Sequence, residues 1–141
     1  MFNWEEYLKL AKYLFDRRKR IKDKDDSTEL EVACIRDAIS RAYYAAYNIA
    51  NELCKERRNS PGSHHRKCKK PYSKDSEHVA TAKWFKKQRD KKLSKIGDIL
   101  ADMHEKRKKA DYKRREVLTD LDASSAIISS SEVIKIVNSL R

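Results

Sequence analysis

Ile35, Ile39, Ala42, Ala46, Ile49 and Leu53 recur at spacings of four and three, and no glycine or proline occurs before residue 61. That periodicity puts six apolar side chains on one stripe of a helix. It predicts one long helix from about 29 to 57, with its most apolar stretch, RAYYAAYNIA, near the middle. Alanines on the stripe let a second helix approach closely. Tyrosines beside it pack a ring and keep a hydroxyl for a partner. Arg36, Ser40, Tyr43 and Tyr47 lie along one flank, and Arg41, Tyr44 and Asn48 along the next. A helix with polar groups this close to its apolar line belongs at the centre of a bundle.

The rest of the chain fits helices around it. Only two glycines and two prolines occur in 141 residues, which leaves little material for tight hairpins. Trp4, Leu8, Ala11 and Phe15 mark an N-terminal helix with Asn3 as its cap. HVATAKWFKK predicts a short helix burying Val79, Ala82 and Phe85. A last helix over about 123–140 should bury Ile127, Ile134 and Val137. Residues 58–76, RNSPGSHHRKCKKPYSKDS, read as a long basic loop. The expectation is one all-α domain over 1–141: an up-and-down bundle of four longer helices and a short one.

Between them, from Lys91, a further helix carries the seam Leu93, Ile96, Leu100, Met103, Arg107, Ala110. Arg107 stands where the spacing asks for an apolar side chain. A guanidinium there needs carboxylate, carbonyl or phosphate partners. One reading is an ion pair to Asp111, a turn away; the other is a phosphate-binding arginine in a cleft. His104 shares its helix face and could move protons near neutral pH, or could simply be exposed. Tyr112 could be an interface phenol or part of the same cleft.

Charge points to a partner. Lys and Arg number 34 against 22 acidic residues, a net +12. That excess suits RNA or DNA, and equally suits a solvated surface. Arg66, Lys67, Lys69 and Lys70, with Tyr72 nearby, form a basic cluster able to follow a phosphate backbone. HHRKC offers His64, His65 and Cys68 to a metal, with Cys54 or His78 as further ligands. The spacing matches no standard zinc motif and the loop is crowded with cations, so no metal is expected. No phosphate-cradling glycine loop is present, and no cofactor is expected. No apolar run suggests a signal peptide or a membrane span, and three cysteines, an odd number, suit a reduced cytoplasmic protein.

ELEVACIRDAISRAYYAAYNIANEL, EHVATAKWF and KIGDILADMHEKRKKADYK, taken in order, resemble the HEPN domain (higher eukaryotes and prokaryotes nucleotide-binding). The likeness is to its small prokaryotic members, and Arg36, Arg41, Tyr43, Tyr44, His78, Arg107, Ala110, Asp111 and Tyr112 carry it. It implies an α-helical homodimer with its cleft between protomers. It also implies RNA as the ligand, often metal-independent RNA cleavage in toxin–antitoxin or phage defence, and often a minimal nucleotidyltransferase partner. In that frame Arg107, His104, Tyr112 and His78 are the candidate catalytic residues, and Arg36, Arg41 and Tyr44 join the basic cluster in holding nucleic acid. The sequence departs from the family at one point. The family's catalytic motif places a histidine four to six residues after its arginine, and no histidine follows Arg107. The alternative implied is a non-catalytic interaction module for the nucleotidyltransferase.

Overall fold

A computed structural model describes residues 3–22, 28–59 and 76–141. Among them the chain forms five helices and no strand: α1 (Glu5–Lys22), α2 (Thr28–Arg58), α3 (Glu77–Lys86), α4 (Lys91–Tyr112) and α5 (Asp120–Ser139). The all-α expectation holds, with four longer helices and one short. The basic cluster at Arg66, Lys67, Lys69 and Lys70, and the HHRKC residues His64, His65 and Cys68, lie outside the described residues.

α2 packs against all four other helices. Its stripe is buried from Ile35 through Leu53, and five of its alanines (Ala38, Ala42, Ala45, Ala46, Ala50) have no exposed surface. Ala11 of α1 and Ala123 of α5 are equally buried, so small side chains set how closely the neighbours pack. Asn3 caps α1, its Oδ1 accepting from the Glu5 N–H at 3.0 Å. α3 and α4 cross at Gly97, where an added Cβ would sit 2.6 Å from Lys86 N and 2.8 Å from the Ala82 carbonyl oxygen.

The structure corrects the last helix. α5 begins at Asp120, because Thr119 caps it and Asp122 completes a capping box. Its buried line is Ala123, Ala126, Ser130, Val133, Ile134 and Val137, while Ile127 is half-buried and Ile128 exposed. The smaller residues win the inner face because α2 approaches closely there. Val79 is likewise only half-buried on α3, although Ala82 and Phe85 are buried as expected. The basic run in the C-terminal half of α1 conceals a further exception. Arg18 is buried, 2.8 Å from Asp120 and over the Phe15 ring, tying α1 to the start of α5.

Candidate functional site

Arg107 sits half-buried where the end of α4 crosses the middle of α2. Its Nε lies 2.7 Å from Asp111 Oδ2, and its Nη2 donates to the hydroxyls of Tyr44 and, at 3.1 Å, Tyr112. Both phenol rings also lie near the guanidinium carbon, 5.0 and 5.1 Å from their centroids. Burial works against the cation. The oxygens of Tyr44, Asp111 and Tyr112 outweigh it and hold the guanidinium charged more firmly than usual. Asp111 is anchored in turn by the buried Ser40 hydroxyl, which donates to Oδ2 at 3.2 Å. The ion pair expected from the four-residue spacing is therefore present, inside a larger network.

Two histidines from different helices meet beside it. His78 of α3 and His104 of α4 stack with ring centroids 5.4 Å apart and planes 9° from parallel. Tyr43 lies 5.6 Å from both rings, and Tyr47 packs 4.2 Å from His78. The Tyr43 hydroxyl is 2.7 Å from His78 Nδ1. Burial drives the Tyr43 phenol far above its ordinary pKa and pushes Tyr47 up to about 12, so both keep their protons. His78 is lowered by burial, by His104 and by Arg107. His104 is lowered by burial and by Lys108 and Arg107, with Glu105 opposing. The Tyr43 hydroxyl and His78 Nδ1 share a hydrogen bond whose donor is set by the tautomer of His78.

Next to the histidines opens a groove of about 390 Å³. Trp4, Tyr7, Tyr44 and Tyr47 line its sides, and Arg41, Asn48, Glu77 and His78 its polar parts. Tyr44 thus belongs both to the groove and to the Arg107 network, and His78 both to the groove and to the histidine pair. Arg41 stands 3.7 Å from Asp37, with its guanidinium carbon 5.5 Å from the centre of the Tyr7 ring.

Of the residues singled out from the sequence, Arg107, His104, Tyr112, His78 and Tyr44 come together, with Arg41 farther along the groove. Arg36 points elsewhere. Its guanidinium donates to the carbonyls of Lys109 (2.9 Å), Ala110 (3.0 Å), Arg114 (3.2 Å) and Glu116 (2.6 Å), clamping the end of α4. That commits it to backbone oxygens instead of phosphate. Sequence reasoning missed Trp4, Tyr7 and Glu77 as groove residues and Ser40 as an anchor of Asp111. Ser40, Tyr43, Tyr44, Tyr47 and Asn48 do share a three-and-four spacing, the one local signal of a polar face. Among the described residues no group of three His, Cys, Asp or Glu side chains is arranged to hold a metal ion, and no helix is long and apolar enough to cross a membrane. No family model, no curated protein and no solved structure matches the chain.

Proposed function

We propose that the protein is a HEPN-like RNA-binding domain that cleaves RNA by acid–base catalysis, working as a homodimer in a toxin or defence setting. The observation that carries this reading is the stacked pair His78 and His104 beside Arg107. A neutral imidazole takes the proton from a ribose 2′-hydroxyl. The 2′-oxygen then bonds to phosphorus as the bond from phosphorus to the 5′-oxygen breaks. The products are a 2′,3′-cyclic phosphate and a 5′-hydroxyl, the latter receiving the proton. Arg107 opposes the charge that builds on the phosphoryl oxygens, and Tyr44 and Tyr112 aim its guanidinium. Arg41, farther along the groove, takes a neighbouring phosphate.

The test is cleavage of total RNA and tRNA in EDTA at matched purity. His104→Ala or His78→Ala should lower the rate about 10²–10⁴-fold, the range typical of a lost proton-transfer group. Arg107→Ala should lower it about 10²–10³-fold. Clean wild type that cleaves nothing sinks the ribonuclease reading.

A second reading has its own support. Arg107 is already matched to a carboxylate and two phenols, and no histidine follows it in the sequence. In that reading the domain is a non-catalytic partner of a minimal nucleotidyltransferase. Co-purification of the pair, with RNA left intact, would favour it. Failure to associate at micromolar concentration would count against it.

A further inference from the structure

We infer that the groove beside the histidines is a base-reading subsite for an unpaired guanine. The inference rests on RNA as the ligand and specifies which base is read. Bases of single-stranded RNA are recognised by stacking on aromatic rings and by hydrogen bonds to their exposed edges. The groove has both elements. Its volume, about 390 Å³, falls within the roughly 300–1,000 Å³ of small-molecule sites. Tyr7 and Tyr44 give it aromatic sides, and Trp4 is fixed by its indole N–H donating to Glu52 at 2.7 Å.

The polar groups divide by sign. Arg41 supplies a cation in the groove for phosphate. Glu77, on α3, supplies a carboxylate that repels phosphate and calls for donors. That carboxylate is steadied by a relay: Thr81 Oγ1 donates to Asn51 Oδ1 at 3.3 Å, and Asn51 Nδ2 reaches Glu77 Oε1 at 3.5 Å. Asn48 adds a second acceptor, since its side-chain amide already donates to the Tyr44 carbonyl at 2.8 Å. A carboxylate has two oxygens and is best met by two adjacent N–H donors. Guanine alone offers that pair on its Watson–Crick edge, N1–H beside the 2-amino group. Adenine, cytosine and uracil each present one donor next to acceptors.

The experiment titrates the full chain, ¹⁵N-labelled, with GMP, AMP, CMP and UMP at one pH and salt. The chain has two tryptophans, so the indole region holds two cross-peaks, and only that of Trp4 lies in the groove. GMP should move the Trp4 peak and bind about tenfold tighter than the other three. Glu77→Gln, at an exposed position, should erase the preference while leaving AMP binding no weaker. Tyr7→Leu should weaken all four alike. Equal binding of the four nucleotides, a GMP preference that survives Glu77→Gln, or indifference to Tyr7→Leu would each overturn the subsite. Wild type that cleaves RNA without preferring GMP refutes the subsite alone. Selective GMP binding without cleavage keeps the subsite and removes the ribonuclease.

Discussion

Arg107 serves three neighbours at once, Asp111, Tyr44 and Tyr112, and its replacement by lysine tests what they require. Lysine keeps the charge but cannot reproduce a planar fork that faces a carboxylate and two phenols. Arg107→Lys is therefore expected to weaken RNA binding severalfold, with a modest fall in melting temperature; unchanged binding in a filter assay would remove Arg107 from the site. The histidines give a pH signature whose sign follows from their lowered pKa values. The folded state takes up their protons only at lower pH than the unfolded chain, whose histidines titrate near about 6.5. Stability should thus be level above about pH 7 and fall as pH drops below 6.5, levelling again beneath the folded values. A His78→Gln, His104→Gln double variant should show a flatter melting-temperature profile between about pH 7.5 and 5. Phosphate beside Arg107 favours protonated imidazoles, so RNA affinity should rise over the same interval. At this scale the sequence was legible for Arg107 and Asp111, whose four-residue spacing offered the ion pair as one of two readings, and the ion pair is present. His78 was not placed, because its position beside His104 depends on how α3 lies on α4.

α4 is held at its end by another helix. The Arg36 guanidinium binds two carbonyls of the last turn and two beyond it, groups a helix terminus otherwise leaves to solvent. Arg36→Ala should cost about 1–3 kcal/mol in denaturant unfolding, since those carbonyls lose a charged donor. It should also loosen Arg107 and Tyr112 without removing either, lowering RNA affinity less than Arg107→Ala does. The α3–α4 crossing is subject to a different limit. Gly97→Ala pushes a methyl against two backbone atoms of α3 that cannot rotate away, so about 1–3 kcal/mol of stability should be lost. Equal melting temperatures would show that the two helices can separate at little cost. Periodicity located these helices because an apolar stripe is a local property. It placed Ile134 and Val137 correctly on the inner face of α5 but missed Ala123, Ala126 and Ser130 and put the half-buried Ile127 there, because closeness to α2 is a property of the pair.

The whole molecule combines a large positive charge with an aromatic groove. A net charge of +12 favours any polyanion, and the aromatic groove adds a place where bases can stack. Binding of a single-stranded RNA should weaken as salt rises, with a log–log slope of about −0.7 per phosphate neutralised. Arg41→Ala should reduce that slope by roughly one contact, which titrations at three salt concentrations would resolve.

Cys34 and Cys54 are both buried on α2 as free thiols, 20 positions apart in the sequence. At 1.5 Å per residue they stand about 30 Å from one another, far beyond the reach of a disulfide. Each is therefore an independent clock for a different stretch of the same helix. With Cys68 replaced by serine, the alkylation rate of each thiol reports how often the bundle breathes at that level, and a bound RNA that braces the middle of α2 would slow the two clocks unequally.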